Sequence, residues 1–207
     1  MASESFTKKQ VNVILGQWFH PLHYFPGFVS RLIGISPSLA VRTLMSKIVW
    51  QELGEGNPER AHETCFVETM MDAGFIYDKF VNVEPLHGTS KLVSEYEEKS
   101  ANDSLSSLGY VFATEAADLL MVSSIGSAVK SATGKEKLLW VDIHVKQEPD
   151  HTECVESSVI QGLSADDGAK VIEAADKMFD IWCGFFTDIE MAVDNINENS
   201  EYEALSA

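Results

Sequence analysis

His144, Glu148 and His151 stand at positions i, i+4 and i+7, a spacing that puts all three on one face of a continuous helix within reach of a shared ion. Glu52 and His62 flank the stretch WQELGEGNPERAH, Trp50 to His62, where a Gly/Asn/Pro reversal directs a carboxylate and an imidazole toward a common interior. Glu115 interrupts an apolar stripe between these two groups, as Glu52 does its own. Burying such a carboxylate unpaired costs several kcal/mol, so each must be protonated, paired or bound to metal. Three glutamates and three histidines form a donor set that suits iron or manganese, whereas a four-coordinate structural zinc site needs fewer. Two divalent cations nearly balance the three carboxylates, and bridging carboxylates such as Glu52 or Glu115 would hold the ions about 3.5–4 Å apart. The reading is a dinuclear site built from Glu52, His62, Glu115, His144, Glu148 and His151. A solvated polar face is the competing account of the 144–151 segment, and its flanking apolar positions argue against it. Glu55, seven residues before His62, is an alternative to Glu52, although its place in Gly54-Glu55-Gly56 favours exposure.

The elements that position these groups read as helices. From Phe6 to Ile35 the pattern predicts two short aromatic helices broken at HPLHYFPG by Pro21, Pro26 and Gly27. His20 and His23 lie there without a recurrent ligand spacing, and support rather than ligation is expected of them. Ser36-Pro37 reads as N-cap and first position of the next helix, with Val41, Leu44 or Met45, Ile48 and Glu52 on one stripe. Asn57-Pro58 opens a helix carrying His62, Phe66, Thr69 or Met70 and Ala73 inward before Gly74 stops it. Residues 75 to 88 read as a connection, with His87 at the surface or capping. A charged helix from about Thr89 to Lys99 follows. A long helix then lines up Leu108, Val111 or Phe112, Glu115, Leu119 and Val122. Beyond the Thr133-Gly134-Lys135 turn, Trp140 or Val141, His144, Glu148, His151, Val155 and Val159 share a side. Pro149 predicts a kink or a break at Glu148, and with it a segment that orders fully only when metal binds. Ser164 and Asp167 form a capping pair for a final helix with Ile172, Ala175, Phe179, Trp182, Phe186 and Ile189 inward. The expected fold is all-α, one domain over residues 1–193 with a mobile acidic tail over 194–207.

The chain's 207 residues suffice for one core, and its formal charge of −17 argues against nucleic acid or an anionic membrane as partner. Cys65, Cys154 and Cys183 show no CxxC spacing, which points to a reducing cytoplasm rather than a disulfide framework. No run approaches the roughly 20 apolar residues that a bilayer span needs.

The turn from Glu52 to His62, the mid-chain Glu115 and the H-x3-E-x2-H of His144, Glu148 and His151 resemble the heme-oxygenase-like diiron oxidases and oxygenases, a family that shares its seven-helix bundle with heme oxygenase, the TenA thiaminases and PqqC. The resemblance runs from about Trp18 to Phe186. It implies a seven-helix bundle, two Fe(II) ions with Mn as substitute, O2 as co-substrate, and the six residues above as ligands, with Glu148 where many relatives carry Asp. It further implies reduction of O2 at the metals, then hydrogen abstraction from, or oxygen transfer to, a small amine, amino-acid-like or carboxylic-acid substrate. An electron donor and a homodimer are compatible with it. Some N-oxygenating members add a carboxylate from an earlier helix; no Glu or Asp lies between Phe6 and Val49 here, which weakens that assignment. Trp18, Phe19, Tyr24 and Trp50 are candidates for a cavity wall or for plain core. Two other readings compete: a metal-free TenA-like or PqqC-like enzyme, and a non-catalytic iron-binding or interaction protein. Heme would need a proximal histidine, and the proline-rich setting of His20 and His23 disfavours it.

Overall fold

The structure, a computed structural model, describes residues 6–205, the side-chain surroundings of residues 148, 162 and 197–205 excepted. Among the described residues there are seven α-helices and no strand: α1 Lys8–Ile35, α2 Leu39–Glu52, α3 His62–Asp72, α4 His87–Asn102, α5 Ser104–Thr133, α6 Leu139–Gly162 and α7 Ala165–Leu205. Short 3-10 turns lie at Pro58–Arg60 and Tyr77–Lys79. α5 runs through the bundle and packs chiefly on α7, α6 and α1, while α1 also lies on α4 and α2 lies on α6.

α1 is one helix, not two. Pro21 and Pro26 each remove an amide and cost about 3 kcal/mol in a helix interior. However, Val11, Leu15, Trp18, Leu22, Phe25, Val29 and Leu32 form an unbroken buried stripe across both. Burial contributes about 1.5–3 kcal/mol per large apolar side chain, enough to carry the helix through. α6 likewise continues through Pro149 as a single helix, so of the kink or break expected at Glu148 the break is absent.

The helix starts also differ in detail. Ser38, not Ser36, caps α2 by accepting from the Val41 amide. Asn57-Pro58 opens a 3-10 turn in which the Asn57 side chain accepts from the Glu59 amide, and α3 begins only at His62. Gly88 is not a breaker but lies in the first turn of α4, where its amide donates to Asp188 Oδ2 at 2.6 Å. The expected Ser164–Asp167 capping pair is present.

In α7 the buried face is Val171, Ala175, Met178, Trp182, Phe185 and Ile189, so Ile172 and Phe179 look outward, one position off the expected stripe. In α5, Leu119 is exposed. The region expected as a non-periodic tail is helical to Leu205. α5 is long and apolar enough to cross a membrane by length and composition alone, but over half of its most apolar window is buried inside the bundle, which marks a core helix.

Gly109 sets how closely α5 meets α7. A Cβ there would run into the Val171 carbonyl oxygen and come within 2.7 Å of Ala174 Cβ. The two backbones touch at this point, and only glycine permits it.

Candidate metal centre

The reversal between α2 and α3 holds the first two donors. Gly54, Glu55 and Gly56 have φ of 80°, 56° and 87°, three successive left-handed residues that turn the chain sharply. The Gly54 amide donates to the Gln51 carbonyl at 2.9 Å and the Glu55 amide to the Trp50 carbonyl at 2.8 Å, closing the end of α2. Glu52, the last residue of α2, and His62, the first of α3, are thereby brought face to face. Glu55 stays on the turn and accepts from Arg60 at 3.0 Å.

Glu52, His62, Glu115, His144 and His151 converge in the bundle interior, none more than 6% exposed. Glu52 Oε1 lies 3.0 Å from His62 Nδ1 and 3.8 Å from His151 Nδ1, and His151 Nδ1 lies 3.2 Å from Glu115 Oε2. Donor atoms of Glu52, His62 and His144 all fall within 4.8 Å of one another. Glu148 lies on α6 between His144 and His151, and its side chain is outside the described residues.

Hydrogen bonds fix which ring nitrogens face the cluster. His144 Nδ1 meets the Trp140 carbonyl at 2.8 Å. A carbonyl can only accept, so the proton is on Nδ1 and the lone pair on Nε2. His62 Nε2 donates to Gln147 Oε1 at 2.8 Å, which leaves Nδ1 toward Glu52. That Nδ1 is buried and, although at ion-pair distance, lacks the alignment of a hydrogen bond. Two ring nitrogens are therefore prepared as metal donors, each oriented through its opposite nitrogen. The pattern fits a cation seated among carboxylate and imidazole.

Charges within the cluster respond to one another. Burial opposes the charge on Glu52, yet His62 beside it outweighs burial and holds the carboxyl down at about 2. Burial pulls His62 down, but the Glu52 charge overcomes this and raises it. His144 is pushed down to about 4 by burial and by its neighbour His62, so it is neutral at physiological pH, the form in which an imidazole can donate to a metal.

A cavity of about 30 Å³ opens beside Glu52, Glu115 and His144. Of the aromatic candidates Trp18 forms one wall, and the other aromatic walls are Phe25, Tyr96 and Trp182. Trp50 is 57% exposed and lies on the outer surface. His20 donates to the Val83 carbonyl and His23 pairs with Glu63, both away from the cluster.

Asp118 and Gln147 escaped the sequence reading. Asp118 lines the cavity one turn beyond Glu115, where the stripe expected Leu119. Gln147 is three residues after His144 and four before His151, on the same face of α6. That shared face was the available signal for it.

An all-helical bundle closing over buried carboxylates and imidazoles is the arrangement of a heme-oxygenase-like protein. The chain belongs to the family of iron-containing redox enzymes, whose model matches residues 13–183. A CADD-like protein of unknown function from Nostoc punctiforme PCC 73102 superposes with a TM-score of 0.76 at 16% identity, covering 89% of this chain and 82% of that one. A domain of unknown function with a heme oxygenase-like fold, from Shewanella denitrificans OS217, gives 0.72 at 17% identity, covering 93% and 82%. No curated protein matches the sequence significantly.

Proposed function

We propose that this chain is an O2-dependent, non-heme diiron oxidase or oxygenase acting on a small amine, amino-acid-like or carboxylic-acid substrate. The observation that carries the reading is the convergence of five buried donors with two ring nitrogens already turned toward the cluster. Glu52, His62 and His144 would hold one iron, and Glu115, His151 and Glu148 the other. Glu52 lies close to both His62 and His151.

When bound, the iron pair supplies the capacity to activate O2 for oxidation of a substrate. The protein's own part is different. Trp140 and Gln147 orient the imidazoles, while Trp18, Phe25, Tyr96 and Trp182 exclude water and shape the space beside the metals. An external electron donor would serve those reactions whose substrate does not provide all the reducing equivalents. The free thiols of Cys65, Cys154 and Cys183 suit a reducing cytoplasm.

The test is anaerobic Fe(II) loading followed by exposure to O2. About two irons per chain and a transient visible absorption that decays faster with the right substrate are expected, the count following from a two-metal site. Purified protein that takes up no iron under these conditions would refute the reading.

A further inference from the structure

We propose that Thr69 is a positioning residue for the metal centre: from α3 it holds the buried first turn of α6 and so sets the height and ring orientation of His144. The inference rests on the diiron reading, since it concerns a candidate ligand of that site, but its first readout needs no metal.

α6 begins without a cap of its own. Leu138 occupies the N-cap position and offers no side-chain acceptor, so the amides of the first turn have no partner within the helix. At Trp140 water cannot stand in, because that residue is fully buried and Leu138 beside it is 1% exposed. Thr69, also buried, supplies the acceptor from α3: its Oγ1 receives the Trp140 amide at 3.1 Å, across 71 residues of chain. A side-chain oxygen that accepts from the second amide of a helix does the work of an N-cap. Here it belongs to a different helix.

That bond reaches the site in one step. The carbonyl of the same residue, Trp140, accepts from His144 Nδ1 at 2.8 Å, so a shift of Trp140 moves the group that keeps His144 Nε2 free. The Trp140 ring repeats the anchorage, with Phe66 of α3 edge-on to it at 4.9 Å and His144 at 4.9 Å beyond. His62, Phe66 and Thr69 share one face of α3, and Trp140, His144 and Gln147 one face of α6. The two faces meet where Thr69 holds the Trp140 amide, where Phe66 packs on the Trp140 ring, and where His62 donates to Gln147. The rings of His62 and His144 lie 4.5 Å apart between the outer two. Gln147 thus fixes one end of this register and Thr69 the other. Pro149 raises the importance of the Thr69 end. It has no amide for the Val145 carbonyl, so one backbone bond fewer ties the half of α6 that carries His144 to the half that carries His151.

The experiment compares wild type, Thr69→Val and Thr69→Ser in the full chain carrying isotope-labelled histidine. Valine keeps the shape and loses the acceptor, whereas serine keeps the acceptor. Without metal, NMR follows the His144 Nδ1–H, assigned by its loss in His144→Gln. With Mn(II), anaerobic competition against a chromophoric chelator gives the affinity. In Thr69→Val the ring proton is expected to exchange with solvent at least about tenfold faster, and Mn(II) to bind about tenfold more weakly. Thr69→Ser should stay within about threefold of wild type in both, a rescue that loss of packing would not allow. Thr69→Ala replaces the valine variant should that protein not fold. Unchanged ring exchange in Thr69→Val overturns the proposal, as does a Thr69→Ser protein that behaves like Thr69→Val. So does altered exchange with unchanged Mn(II) affinity, which would make the bond an anchor of the helix end alone. Wild-type protein that takes up no Mn(II) sinks the diiron reading, and ring exchange then tests the hold of Thr69 on His144 by itself.

Discussion

Gln147→Leu removes the acceptor that His62 Nε2 uses at 2.8 Å while keeping most of the side chain's volume. In the metal-free variant the imidazole is no longer held in one tautomer. It can move its proton to Nδ1, where Glu52 Oε1 waits at 3.0 Å. Metal binding must then restore the original tautomer and leave a buried N–H without a partner, a cost of about 1–3 kcal/mol. Since 1.4 kcal/mol is a factor of ten, metal affinity should fall about 10- to 100-fold, the range usual for residues that orient a metal-bound histidine. Anaerobic competition for Mn(II) or Fe(II) against a chromophoric chelator measures it. Gln147→Glu keeps an acceptor and should recover most of the loss, which a role in packing alone would not predict. A Gln147→Leu protein with native helicity and an affinity within about twofold of wild type would refute the reasoning.

Three further outcomes are expected. Gly109→Ala forces α5 away from α7, and overpacking of about 1–3 kcal/mol should exceed the gain of about 1 kcal/mol in helix propensity, so the urea midpoint falls; an unchanged midpoint would contradict the close approach. Burial works against the charge on Glu95, but hydrogen bonds from Tyr110 and Lys177 hold it below its ordinary 4.5. Its contribution is therefore present above that pH and lost as pH falls through the lowered value, and Glu95→Gln should flatten this part of the acid stability profile. Stripping metal with a chelator should lower stability by about 2.7 kcal/mol relative to protein at 100 times the dissociation constant. That corresponds to roughly 5–10 °C in melting temperature for a chain of this size, read by calorimetry.

The stripes of α2, α3 and α6 that carry the candidate ligands were legible because each keeps a helical period in which a carboxylate or imidazole stands among apolar residues. Val41, Met45, Ile48 and Glu52 are buried together, as are His62, Phe66 and Met70. Glu52 was preferred to Glu55 because of the glycines of the turn; Glu52 is buried, while Glu55 stays on the turn and pairs with Arg60. α1 was misread because Pro21 and Pro26 speak locally, whereas the burial that overrides them comes from helices distant in sequence. The one-residue slip in α7 has a similar origin: Val171 and Ile172, Met178 and Phe179, Phe185 and Phe186 are adjacent apolar pairs, and only the neighbouring helices decide which member faces inward. Asp118 was missed because Leu119 suited the stripe better by hydropathy. Which of the two residues faces the interior is set by the neighbouring helices, and it is Asp118 that lines the cavity while Leu119 is exposed.

The three left-handed residues at 54–56 have a bearing on protein engineering. Glu52 and His62 owe their meeting to a sharp reversal that its own glycines at 54 and 56 make possible. The segment from Gln51 to Glu63 is therefore the natural piece to graft between two helices where an acid and an imidazole are wanted close together. Replacing Gly54 would spoil the turn at once, because any side chain there collides with the backbone at Asn57 and Ala61.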